Sequence, residues 1–135
     1  MVKYGMEFSI DKPCEYVTEN GVLNLYFKIG VYNSDKSIAI IAYVFDELHQ
    51  TEEYFGSITT CLGYEHKRGR AFINTHSFPG IDNVLEHYGI AEPTGVKKSY
   101  NFIVYPEYMI SETFLRAISP ETYKKYLDIN YWTIR

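Results

Sequence analysis

Two apolar patterns lie next to each other in the first third of the chain, and together they dictate a sheet. From Val22 to Val31 the side chains alternate: Leu23, Leu25, Phe27, Ile29 and Val31 point one way, Asn24, Tyr26, Lys28 and Gly30 the other. A period of two is the signature of a half-buried strand. The turn residues Asn33-Ser34-Asp35-Lys36 follow, then the apolar run Ile38–Phe45. Its β-branched content predicts a second, more fully buried strand. Polar residues from Asp46 to Glu53 interrupt, and Tyr54 to Leu62 resumes a strand pattern with Phe55, Ile58 and Cys61 facing inward. These pieces predict an antiparallel meander.

Beyond Arg70 the pattern changes. Ala71–Asn74 reads as a short strand leading into a helix, with Ser77 as its N-cap and Pro79 in its first turn. Ile81, Val84, Leu85 and Tyr88 form one amphipathic stripe, and Gly89 supplies the left-handed cap. Ile90–Gly95 reads as a loop and Tyr100–Tyr108 as a strand. Ser111 caps a short helix through Ile118, and Ser119 caps another from Pro120 to about Leu127. The expected fold is α+β: an antiparallel sheet, a central Pro-initiated helix, and short C-terminal helices on one face or end.

The 135 residues form one domain, 1–135, long enough to bury roughly two-thirds of its unfolded surface without a metal or disulfide. The longest apolar run has eight residues, where a membrane span needs about twenty. Met1–Glu7 lacks the apolar core of a signal peptide. Cys14 and Cys61 are expected to be reduced, with a Cys14–Cys61 bridge disfavoured, and the expected compartment is the cytoplasm. A formal net charge of −4 weighs against a generic phosphate-binding surface.

Aromatic residues reach 17%, with 14 Tyr, 8 Phe and 1 Trp. They span every element from Tyr4 to Tyr131, and Tyr26 and Tyr32 fall opposite the aliphatic positions Leu25 and Val31. Tyrosine buries area at low entropy cost and is enriched at interfaces. Either helices cover that second face or another molecule does. With the acidic segment Asp46, Glu47, Glu52 and Glu53, the tyrosines Tyr26 and Tyr32 form the candidate protein interface.

Other candidates carry less chemistry. Thr75, His76, Ser77 and Ser99 would build a ligand corner at the helix start, against the plainer reading that this segment caps the helix. Lys67, Arg68 and Arg70, with Tyr64 and Phe72, would suit single-stranded nucleic acid, where rings stack and cations track phosphates. Glu86 and His87 are adjacent on a helix and so point about 100° apart, a poor acid–base pair. Cys61 would need His66 or His76 beside it to act as a nucleophile. His49 among the acidic residues lacks calcium-loop spacing. Gly89–Gly95 lacks the phosphate-loop pattern. No catalytic residue, metal site or cofactor is expected.

Between Gly69 and Tyr108, Ala71-Phe72-Ile73-Asn74-Thr75, Pro79, Tyr88-Gly89-Ile90-Ala91-Glu92-Pro93-Thr94-Gly95 and Tyr105-Pro106-Glu107-Tyr108 stand in order. In these the chain resembles a domain-of-unknown-function family of small proteins from gut bacteria, their phages and conjugative elements. The likeness extends over about 22–110, with a C-terminal helical extension over about 111–135. His76-Ser77-Phe78 replaces the family's usual Asn-Asn-Cys, and Ser99-Tyr100-Asn101-Phe102 replaces a Gly-rich element. The resemblance implies no activity and no catalytic residue. Its genetic setting implies a non-enzymatic protein that binds an unknown host protein, such as a defence or DNA-processing enzyme. A small-molecule or nucleotide binder, with at most weak enzymatic activity, is the alternative. Single-stranded nucleic-acid binding comes third. An exposed strand such as Val22–Val31 would also allow a homo-oligomer across a two-fold axis.

Overall fold

In the computed structural model, residues 12–63 and 67–130 are described. The expected meander forms, with one strand ahead of it: β1 (Cys14–Thr18), β2 (Gly21–Val31), β3 (Ile38–Asp46) and β4 (Thr51–Ser57) pair in that order, all antiparallel. The remaining strands build a second antiparallel sheet. β5 (Thr59–Thr60), β6 (Arg70–Ile73), β7 (Ala91–Tyr100) and β8 (Ile103–Ile110) lie in the order β5-β6-β8-β7. Three helices complete the α+β fold: α1 (Ile81–His87), α2 (Glu112–Ile118) and α3 (Pro120–Ile129). Among the described residues no helix is long and apolar enough to cross a membrane.

The segment expected as one strand over Tyr54–Leu62 instead passes from sheet to sheet at Ile58. Its N–H donates to the Ile40 carbonyl at 2.8 Å in the first sheet, and its carbonyl accepts from the Asn74 N–H at 2.7 Å beside the second. The Thr59 hydroxyl accepts from the Ile40 N–H at 3.0 Å, taking over where the strand ladder breaks. The Tyr32 phenol reaches the same corner, 2.9 Å from the Thr59 carbonyl and 2.7 Å from the Ser57 hydroxyl.

Three local expectations are corrected. Ser77 does not cap α1: it is exposed, and the helix begins after Gly80, which has φ 82° and makes no side-chain cap. Phe78 is withheld from the helix because its ring lies over Gly56 and packs on Phe55 at 5.2 Å between centroids. Burying that ring outweighs a hydroxyl cap. Ile90–Gly95 is not a loop. From Ala91 it is the start of β7, and the pairing with β8 shifts register between Pro93 and Lys97, so proline and glycine mark a bulge. Tyr100–Tyr108 is not one strand either. Asn101 (φ 50°) and Phe102 (φ 67°) form a two-residue turn, with Tyr100 paired to Ile103.

The helix ends otherwise follow the sequence. Ser111 and Ser119 accept from the Phe114 and Thr122 N–H groups. Gly89 takes φ 71°, and the following N–H of Ile90 returns to the Leu85 carbonyl at 2.8 Å. Inside, one cluster draws on both sheets and all three helices, including Leu25, Phe27, Ile40, Ile58, Ile73, Leu85, Phe114 and Tyr126. Phe27 meets Phe114 edge-on at 6.2 Å, which places α2 on the Leu25–Phe27 face of the first sheet.

Four tyrosines belong to this core: Tyr16, Tyr108, Tyr123 and Tyr126. Three of their hydroxyls tie distant segments. Tyr16 donates to the Pro79 carbonyl at 2.8 Å, Tyr108 donates to Glu86 at 2.8 Å, and Tyr126 accepts from the Gly69 N–H at 2.7 Å. Burial pushes all four phenols above their ordinary value, and the Glu86 carboxylate adds to the effect at Tyr108.

Two outcomes follow. In the unfolded chain these phenols ionise near pH 10, while folded they keep their protons, so their contribution is complete below that pH and is lost above it. Urea unfolding from about pH 8 to about pH 11 should show a falling midpoint beginning near pH 10, and a flat midpoint would contradict the burial of these rings. A Cβ at Gly56 would overlap the Phe78 ring. Gly56→Ala should therefore cost about 1–3 kcal/mol in the same measurement, with Phe78→Leu in the same chain recovering part of the loss.

Candidate protein interface

The pairing register settles which side chains share the outer face of the first sheet. Tyr26 lies beside Tyr43, Tyr43 beside Tyr54, Phe45 beside Glu52, and Val17 beside Val22. The result is a row of three tyrosines across β2, β3 and β4. Tyr43 and Tyr54 meet edge-on at 6.1 Å. The Lys28 ammonium sits 4.5 Å from the Tyr43 ring centre and 2.6 Å from Glu52. That ion pair and the ring together raise the lysine pKa, the Glu52 hydrogen bond first.

No side chain of this row is buried. Around it Val17 is 72% exposed, Tyr54 66%, Val22 55% and Phe45 43%, a concentration of apolar surface that the inward-packed α2 leaves open. The acidic residues gather around the β3–β4 turn, Glu52 beside Phe45 on this surface and Glu53 beside Val44 on the opposite one. Asp46 closes the turn, its carboxylate accepting from the N–H groups of Leu48 at 3.0 Å and His49 at 3.3 Å. Its other oxygen meets the His49 ring, which with these bonds holds the Asp46 carboxyl below the usual range. Glu47 and Glu53 are exposed, and Glu52 is engaged by Lys28.

The structure thus brings Tyr26 and Glu52 to one face, leaves Glu47 exposed in the β3–β4 turn, turns Asp46 and Glu53 to the opposite face with Val44, and separates Tyr32 from them all, since its phenol is turned into the Ile58 corner. Sequence reading missed Tyr43, Phe45 and Tyr54. The signal was the parity of β3: the run expected to be more fully buried is so over Ile38–Ile40, and beyond it only one side is buried, with Ala42 inward and Tyr43 and Phe45 outward.

The other candidate groups do not assemble as expected. Thr75 lines a groove of about 480 Å³ with Asp82, Lys97, Val104, Pro106 and Tyr108, but His76 and Ser77 stand exposed outside its lining. Ser99 lies on β7 opposite Val104, also outside the lining. Arg70 is held by Glu107 at 3.2 Å, and Glu107 also accepts from the Thr94 hydroxyl at 2.7 Å. Phe72 is buried and offers no stacking face, Lys67 is exposed, and Arg68 is half-buried. Tyr4, Tyr64, His66 and Tyr131 lie outside the described residues.

Glu86 accepts from Tyr108 at 2.8 Å, and the His87 ring turns edge-on to Tyr88 at 4.9 Å. Both cysteines are free. Burial pushes the Cys14 thiol up to about 12, and the Cys61 sulfur lies 2.9 Å from the Ser34 hydroxyl. Among the described residues no group of three or more His, Cys, Asp or Glu is placed to hold a metal ion.

A family model, Domain of unknown function (DUF4313), matches residues 26–130. No curated protein and no solved structure matches the chain.

The contrast between inner and outer tyrosines is measurable. Tyr54→Ala should cost under about 1 kcal/mol of unfolding free energy, the scale of one cross-strand pair. Tyr126→Ala, which empties a fully buried site, should cost about 3 kcal/mol or more. Equal costs would mean that the outer row is packed against something in the folded chain.

Proposed function

We propose that this chain, which belongs to the DUF4313 family, is a non-enzymatic protein-binding module that works by occupying a surface of a host protein. The observation that carries the reading is the uncovered Tyr26–Tyr43–Tyr54 row with Phe45, Val17 and Val22 around it. Rigid aromatic rings on a sheet offer contact area at little entropic cost, and such rings dominate binding energy where they occur at interfaces. The carboxylates of Glu15 and Glu52 lie on the same face as the row and Glu47 is exposed in the turn at its end, with the Lys28 ammonium paired to Glu52. The partner surface is accordingly apolar at its centre and basic at its rim, and opposite charge speeds encounter. The setting proposed is the cytoplasm of a bacterium carrying the phage or mobile element that encodes the protein, with inhibition of a host enzyme as the outcome.

The two other readings have less support. The groove beside Thr75 would suit a small molecule, but of Thr75, His76, Ser77 and Ser99 only Thr75 lines it. The basic triplet loses Arg70 to Glu107 and its neighbouring ring Phe72 to the core.

Capture from bacterial lysate at physiological salt tests the proposal. The wild-type chain should retain one stoichiometric partner, and a Phe45→Ala/Tyr54→Ala chain should lose it while keeping its fold. No partner with either chain, or the same partner with both, would remove the case for this face.

A further inference from the structure

The groove beside Thr75 lies between α1 and the β7–β8 hairpin, and its volume of about 480 Å³ admits a small molecule. Val104, Pro106 and Tyr108 alternate along β8 and so stand on one face, and the register sets Lys97 beside Pro106 on it. Asp82 lines the same groove from α1. An ammonium and a carboxylate therefore share one groove without meeting. Neither Asp82 nor Lys97 has an ion-pair partner among the described residues, and they do not pair with each other.

The acidic end is built to accept. The Tyr108 phenol gives its one proton to Glu86, which stands one turn beyond Asp82 on α1. The lone pairs of that oxygen are left as acceptors. Asp82 adds to the effect that burial and Glu86 exert on the Tyr108 pKa, which places its carboxylate near the phenol. Lys97, by its pairing with Pro106, is two residues along β8 from Tyr108, a separation of about 7 Å. That span suits a molecule with its charges at opposite ends of a short chain, rather than one with both on neighbouring carbons.

We infer that this groove binds a small ω-amino acid, with its ammonium on Asp82 beside the Tyr108 oxygen, its carboxylate on Lys97, and its methylene stem over Pro106 and Val104. The site lies apart from the outer face of the first sheet and goes beyond the protein-binding reading without depending on it.

Amide NMR titration of the full chain at constant ionic strength, read at Gly95, Val96 and Lys97, tests it with δ-aminovalerate, n-pentylamine and n-valerate as probes. δ-Aminovalerate should give a saturable shift at up to about 20 mM and bind about fivefold tighter than either singly charged analogue, the scale of one added ion pair. Asp82→Asn, which keeps the side chain's shape, should weaken δ-aminovalerate and n-pentylamine and leave n-valerate unchanged. Lys97→Glu should reverse the preference, so that the diamine cadaverine binds in place of δ-aminovalerate. Amides of β2 and β3, outside the groove, report that each variant is folded.

The absence of a saturable shift with δ-aminovalerate overturns the inference. Equal affinity for n-pentylamine or n-valerate does so too, as does a Lys97→Glu chain whose preference is unchanged. Capture of a partner through the tyrosine row uses other residues, so the two proposals fail separately.

Discussion

The backbone of Ile58 hydrogen-bonds into both halves of the structure, to Ile40 on one side and to Asn74 on the other. A strand that changes sheets must break its ladder, and a broken ladder in the interior leaves polar groups that need partners. Here the Thr59 hydroxyl serves the Ile40 N–H, and the Tyr32 phenol gathers the Ser57 hydroxyl and the Thr59 carbonyl. With that corner satisfied, the Ile58 side chain can be fully buried and the two sheets can share one core. Phe78 on Gly56 sits a few residues away and fixes the strand before the corner against the segment leading into α1.

That shared core decides which surfaces are left. α2 is drawn to the Leu25–Phe27 face, and α3 is tied in by the Tyr126 hydroxyl on Gly69 and by the Asn130 amide on the Lys36 carbonyl. Helices committed to the inner face are not available for the outer one. The tyrosines consequently divide into two populations with different physics. Tyr16, Tyr108 and Tyr126 bury their rings and use the hydroxyl as a long tie between elements, whereas Tyr26, Tyr43 and Tyr54 keep their rings at the surface of the sheet. A count of tyrosines does not separate the two roles.

Much of the fold was legible because it depends on neighbours in sequence. The alternation from Leu23 to Val31, the Ser111 and Ser119 caps, Gly89 and the Ile81–Val84–Leu85 stripe each report a local preference that the tertiary structure left in place. The errors fall where a distant contact outweighed the local rule. Ser77 lost the cap because Phe78 has a site on Gly56, far away in sequence. Glu92-Pro93-Thr94-Gly95 reads as a turn, yet β8 offers a ladder that absorbs it as a bulge. The Asn101–Phe102 turn was hidden because phenylalanine is the wrong residue for it by backbone preference. Of the candidate interface, Tyr26, Glu47 and Glu52 came from pattern alone, and the register turned Asp46 and Glu53 to the other face. Tyr43, Phe45 and Tyr54 needed the register.

The sequence by itself determined that this chain combines antiparallel strands with short helices, where α2 and α3 begin, and that its tyrosines, 14 in all, fall on both sides of its strands. Those properties follow from hydrophobic period, capping chemistry and composition, each readable within a few residues. Only the tertiary structure decided that there are two sheets joined at Ile58, and which face α2 and α3 cover. It also decided which tyrosines remain outside. The reason is that burial is a property of pairs of surfaces: a side chain's alternation says that it has two faces to choose between, and only the partner that packs on one of them makes the choice.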